Sequence, residues 1–416
     1  MALSVDIYPP PIAPARNPIV FRISADTGSP LKVNHKIGLR LFHLLDGVET
    51  LLFEDLVTPF FSGNLAYAVF EISELLISQL QTTFLINPAT GFHPKVNQGE
   101  MLKPYRIAYY EQFGQPAAID VLKNSRWFYA LNGGVPPHLH AEMFMNYDNL
   151  HSYFNKTNNF GLTWHNFDKI TNVNALEIMY FAIPRDPETS NFVLRVTRHY
   201  LDDGDEFVDF NIGHKLQLGQ AFMLDVSYRA IIESHTEGFS GYTVQLLSVD
   251  ESFYSNQYNY IMDFRSLPYV RHFLFKNSLG AFETVRFTGE LAKELTFDRQ
   301  FYEQTSLQYF SETASSRGQL LPQVARSFRI STGWVSKQEI EWLQDFLSSP
   351  EVYELIDLKT HAVLIVQDKL ELVKDSNQLN SLTIEMQYVD LPTVFQRDIA
   401  IPWAEIIEIT PPYQED

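Results

Sequence analysis

From about residue 104 onward the chain repeats one pattern, a short run rich in aromatic and β-branched residues followed by a turn-forming cluster. "PYRIAYYEQF", "SRWFYALNGG", "ALEIMYFAIP", "FVLRVTRHYL", "EFVDFNIG", "AFMLDVSYRAII" and "YTVQLLSVDE" succeed one another in this way. Runs of this length suit strands better than helices, and their regular spacing between turn signals points to a sandwich or barrel. The 32 Phe and 21 Tyr residues fit that reading, because both pack well on a pleated, half-buried surface. With 416 residues, the chain is long enough for about two to four domains. The expected fold class is therefore mainly β, a multi-domain sandwich or barrel protein.

The ends of the chain break the pattern in two ways. "YPPPIAPARNP" carries five prolines (Pro9, Pro10, Pro11, Pro14 and Pro18), which fix φ and remove amide donors. Residues 1–18 are expected to form an extended arm that lies across a neighbouring subunit. Near the other end, "SKQEIEWLQDFL" predicts an amphipathic helix over 336–347. Ser336 and Glu339 form an S-x-x-E capping box, Ile340, Leu343, Phe346 and Leu347 share one face, and Ser349-Pro350 stops the helix. Between these ends, 19–100 is expected to be a β-sandwich domain with a short helix capped by Ser73. A central β-domain is expected over 101–265 and a C-terminal β-domain over 266–416. In the last of these, "YVRHFLFKNSLGAFETVRFTGE" reads as a hairpin turning at "NSLG".

Charge and composition exclude several functions. Lys and Arg total 31 against 50 Asp and Glu, a formal charge of −19, which repels nucleic-acid backbones and anionic membranes. The absence of cysteine removes disulfides, thiolate nucleophiles and cysteine-ligated metals. The start has no basic, apolar leader pattern, so synthesis in the cytosol without a signal peptide is expected. Apolar runs such as "AVLIV" are too short to insert into a bilayer.

One stretch resembles an active site. In "GGVPPHLHAEMF" an extended strand would place His138, His140 and Glu142 on one face, as in a two-histidine, one-carboxylate metal site of a cupin-like enzyme. The spacing departs from the cupin pattern. Only four residues separate Gly133 from His138, only Ala141 separates His140 from Glu142, and no second motif follows. Pro136-Pro137 also favours a loop. "LDDGDEF" lacks the twelve-residue spacing of a calcium loop and reads as a hairpin turn. Trp334 and Trp342 flank or enter the predicted helix, where core packing is the simpler role. No catalytic, cofactor or metal residue is therefore assigned, and no enzyme is expected.

Three stretches, in chain order, resemble structural virion proteins of tailed bacteriophages, particularly those of Bacteroidota. They are "PPPIAPARNPIVFRIS" running on to "AYAVFEISELL", the hairpin segment, and "STGWVSKQEIEWLQDFLSSPEVYELI" with the strands after it. The resemblance implies a non-catalytic tail or baseplate-type component located in the virion. Its implied partners are copies of itself and other tail proteins. A glycan- or receptor-binding sandwich that recognises a host surface glycan, using Tyr and Trp as stacking platforms, is the alternative class.

Overall fold

The computed structural model describes residues 3–27, 32–45, 48–84, 101–137, 140, 161–183, 191–201, 204–212, 221–231, 239–249, 254–303, 317–319, 323–356, 359–367 and 380–389. The fold is mainly β, built of several sheets, with short helices at Ser73–Ile77 and Tyr228–Ile231 and a longer one at Lys337–Leu347. Two compact units emerge. The first comprises Met1–Arg265, Phe275–Thr284 and Trp342–Ser349; the second comprises Ser266–Leu274, Val285–Glu341 and Pro350–Asp416.

In the first unit, a four-stranded sheet runs in the order Ser4–Ile7, Val20–Asp26, Leu65–Glu71, Phe60–Ser62. A six-stranded sheet runs Ile12–Pro14, Phe128–Leu131, Leu102–Phe113, Lys36–Leu45, Val48–Val57, with Ala118–Asn124 also paired to Leu102–Phe113. Period-2 alternation sends Phe21, Ile23 and Phe70 from the first sheet and Leu39, Leu41, Tyr105, Ile107 and Phe128 from the second into one core. Phe21 meets Phe128 edge-on at 5.5 Å between ring centroids. Two sheets sharing one apolar layer make a sandwich.

The remaining strands of this unit form a five-stranded sheet in the order Lys169–Thr171, Tyr258–Met262, Phe239–Ser248, Phe192–Tyr200, Asp205–Asn211. A pair buried except at Asp225, Ile178–Ala182 with Ala221–Asp225, accompanies it. Phe181 of that pair reaches Tyr258 of the sheet, with centroids 6.3 Å apart.

The chain departs from the expected domain plan at position 100. Lys36–Leu45 and Leu102–Phe113 are adjacent antiparallel strands, so 19–100 and 101–265 share a sheet instead of forming separate domains. Strand pairing between distant segments leaves no mark in local composition.

The N-terminal arm is extended, but it belongs to its own chain. Ser4–Ile7 pairs antiparallel with Val20–Asp26, and Ile12–Pro14 pairs parallel with Phe128–Leu131. The prolines fit because they sit at a sheet edge and supply carbonyls, while neighbouring residues supply the amides. Tyr129 N–H donates to the Pro11 carbonyl at 2.7 Å, and Ala15 N–H donates to the Leu131 carbonyl at 2.8 Å. Asn17 completes the attachment. Its Nδ2 donates to the Val135 carbonyl at 2.9 Å, and its Oδ1 accepts from Val135 N–H at 2.7 Å. Leu3, Ile12, Ala13 and Ala15 are buried, so the expected docking on a neighbour is corrected to docking within the subunit. Ser73 is likewise not a cap. Ile72 occupies that position, and the Ser73 hydroxyl donates to Glu71.

Most strands of a seven-stranded sheet lie in the second unit. Its order is Phe282–Phe287, Arg271–Lys276, Val352–Ile356, Lys359–Ile365, Thr383–Tyr388, Gln323–Ser331, Leu291–Asp298. The hairpin turns at Asn277 to Gly280, where Gly280 takes φ +84°, a conformation other residues adopt only with strain. The helix Lys337–Leu347 begins with a reciprocal box. Ser336 N–H donates to Glu339 Oε2 at 2.6 Å, and Glu339 N–H donates to Ser336 Oγ at 3.2 Å. Ile340, Leu343 and Phe346 are buried and Leu347 is half-buried. Leu343→Ala is expected to cost about 2–5 kcal/mol, read as a lowered urea midpoint. A shift no larger than that of a surface substitution would show this face to be unpacked.

Candidate functional site

His138 and Glu142 lie outside the described residues. His140 is half-buried, and its N–H donates to the Pro136 carbonyl at 3.0 Å, a helical turn in place of the extended geometry a shared face requires. Burial lowers the His140 pKa. Gly133 has a packing role, since a Cβ there would lie 2.4 Å from the Leu279 backbone. Among the described residues, no group of three His, Asp or Glu side chains could hold a metal ion.

In "LDDGDEF", Asp202 and Asp203 also lie outside the described residues. Gly204 takes φ +78°, as a hairpin turn demands. Asp205 and Glu206 face the partner strand. Asp205 Oδ1 is 2.7 Å from His199 Nδ1, and Glu206 accepts from Tyr200 Oη at 3.2 Å. Trp334 is 72 % exposed, whereas Trp342 is buried with its Nε1–H donating to Glu283 Oε2 at 2.9 Å.

A concavity lies elsewhere in the first unit. A pocket of about 510 Å³ is lined by the consecutive residues Thr163 to Asp168 and Asn256 to Asn259. Strand pairing explains why these segments meet. Lys169–Thr171 runs parallel to Tyr258–Met262, so the residues just before each strand form one rim. Trp164 is fixed by its Nε1–H, which donates to Ser278 Oγ at 2.7 Å, and Ser278 N–H in turn donates to the Asp345 carboxylate at 2.9 Å. Phe167 rests edge-on against Trp342, at 5.7 Å between centroids.

Behind this rim lies a buried polar network. Lys169 Nζ donates to Glu177 Oε2 at 2.6 Å and to Thr284 Oγ1 at 3.0 Å, while Thr171 Oγ1 donates to Glu177 Oε1 at 2.9 Å. Glu283 lies deeper and accepts from both Asn277 and Trp342. Burial pushes its carboxyl up to about 7. His165 is buried among Phe167, Tyr258, Tyr260 and Trp342, and among the described residues its Nε2 has no hydrogen-bond partner. Burial, helped by the Lys169 charge and opposed by a bond to the Phe167 backbone, lowers the His165 pKa from 6.5 to about 3. The folded chain therefore holds His165 neutral, while the unfolded chain protonates it. The resulting stability is complete above about pH 6.5 and is lost as pH falls toward 3. On moving from pH 7 to pH 4, the parent is expected to lose about 3 kcal/mol more than a His165→Phe variant. Equal losses in urea titrations at the two pH values would place His165 in contact with water.

On the open face of the five-stranded sheet, a hydrogen-bond chain leads to the same pocket. His199 Nδ1 meets Asp205 at 2.7 Å, and its Nε2 meets Thr243 Oγ1 at 2.7 Å. Thr243 Oγ1 donates to Asn259 Oδ1 at 2.8 Å, and Asn259 Nδ2 donates to Asp168 Oδ1 at 3.0 Å. The Asp–His–Thr part has the residue types of a nucleophilic triad. The threonine hydroxyl is shared between His199 and Asn259. The chain fixes Asn259 and Asp168 in place.

Sequence reasoning assigned none of these residues. The available signal was a charge inside an apolar run, Glu177 in "ALEIMYF", which calls for a buried partner that only the fold supplies. No helix among the described residues is long and apolar enough to cross a membrane. Comparison with models of known protein families gives no match, and no curated protein is significantly similar to the sequence.

Proposed function

We propose that the chain is a structural subunit of a bacteriophage tail or phage-like particle, of the distal-tail or baseplate type. In this role it acts without catalysis and is surrounded by copies of itself and other tail proteins. The resemblance of three stretches in chain order supports the tail assignment. The observation that carries the assembly role is the apolar character of the terminal strands in the first unit. Val48 and Leu51, Phe60 and Phe61, Ile119 and Leu122, and Phe207 are all between 46 % and 67 % exposed, each on a strand with a single partner among the described residues. Open edges bearing large apolar side chains invite strand addition or aggregation unless another chain covers them. A subunit that meets its neighbours through different surfaces covers them in a ring.

Immunogold labelling of purified particles should decorate the tail, and the isolated 48.0 kDa chain should gain mass with concentration in light scattering. Unlabelled particles together with a constant monomer mass would overturn the proposal.

A further inference from the structure

We infer that the pocket formed by residues 163–168 and 256–259 binds an uncharged, hydroxyl-rich sugar unit. Its volume of about 510 Å³ falls within the range of roughly 300–1,000 Å³ typical of small-ligand sites. The lining combines two kinds of side chain that a pyranose ring needs. Trp164 and Phe167 are half-buried and braced from behind, so they offer rigid aromatic surface to the C–H face of a ring. Asn166, Asn256 and Gln257 are exposed at the rim. Each amide carries both donors and an acceptor, matching hydroxyls that also do both.

The charges select against an anion. Among the described residues no Lys or Arg lines the pocket, and the nearby Lys169 ammonium is already bonded to Glu177 and Thr284. Asp168 adds a carboxylate to the rim, which repels phosphates, sulfates and acidic sugars. His165 also lines the pocket but is buried, so it packs behind the rim and is not a ligand contact. Asn259 and Asp168 are held by the chain running back to Thr243, so the polar rim is ordered before a ligand arrives.

The inference is independent of the assembly role. Subunit mass and particle labelling test that role without sugar, and the binding experiment uses the isolated full-length chain. The chain is applied to an array of neutral mono- and oligosaccharides alongside sialylated and sulfated ones, and the strongest ligand is titrated by calorimetry. Neutral sugars should be retained. An Asn166→Ala, Gln257→Ala double variant should bind about tenfold more weakly or worse with an unchanged melting temperature, since both side chains are exposed. Should the double variant melt early, Asn256→Ala is titrated in its place against the same criterion. Trp334→Ala, on the second unit, should bind as the parent does. Absence of retention, retention of anionic sugars alone, or unchanged affinity in the pocket variant would each overturn the assignment.

Discussion

Deleting residues 1–18 is expected to unfold the first unit, so that the truncated chain loses its main cooperative melting transition. The segment supplies Leu3, Val5, Ala13 and Ala15 to the sandwich core, and Ile12 is buried as well. Burying one large aliphatic side chain contributes about 1.5–3 kcal/mol, and three of these residues are Leu, Val or Ile. The deletion also strips Phe128–Leu131 of its parallel partner and Val20–Asp26 of an antiparallel one. A loss of about 5–10 kcal/mol follows, comparable with the whole stability of an ordinary domain. Circular dichroism melts of the parent and the truncated chain decide the matter. A truncated chain that melts cooperatively within a few degrees of the parent would mean the first strands are peripheral.

The second large effect is expected at Lys169. Replacing it by Met leaves Glu177 buried with, among the described residues, only the Thr171 and Thr284 hydroxyls as donors for its charge, a loss of about 3–5 kcal/mol. The double variant Lys169→Met, Glu177→Leu removes both charges and should regain at least about half of that loss, because an apolar replacement of similar volume avoids the uncompensated ion. Urea denaturation of the parent, both single variants and the double variant gives the coupling directly. If Lys169→Met matches the parent, water reaches Glu177 and the network is not sealed.

The strands were readable because their cause is local. Alternation in "FVLRVTRHYL" and the turn at Gly204 lie within a few residues of each other, and the pair Phe192–Tyr200 and Asp205–Asn211 forms where that pattern puts it. The capping box at Ser336 and Glu339 is equally local. The arm was misread because proline content reports what a segment cannot donate, not what it can accept. Carbonyls at Pro11 and Pro14 remain available, and Pro11 uses its own to bind Tyr129. The pocket was invisible because its two rims are separated by about ninety residues and meet only through the pairing of Lys169–Thr171 with Tyr258–Met262. Polar residues such as Asn166 and Gln257 look like any loop until that pairing is known.

The makeup of the first unit also governs how the protein can be synthesised. That unit includes Phe275–Thr284 and Trp342–Ser349, and with them Asn277, Glu283, Trp342 and Asp345 of the buried network. A ribosome releases the chain from its N-terminus, so residues 1–265 emerge while two pieces of their fold are still untranslated. At ~5–20 residues per second, the wait is on the order of ten seconds. During it, Lys169, Glu177 and the apolar walls around them are exposed without their later partners. Folding of this unit therefore cannot finish until its last piece, Trp342–Ser349, has been synthesised. Chain termination anywhere before residue 349 should yield an aggregating product rather than a smaller folded one.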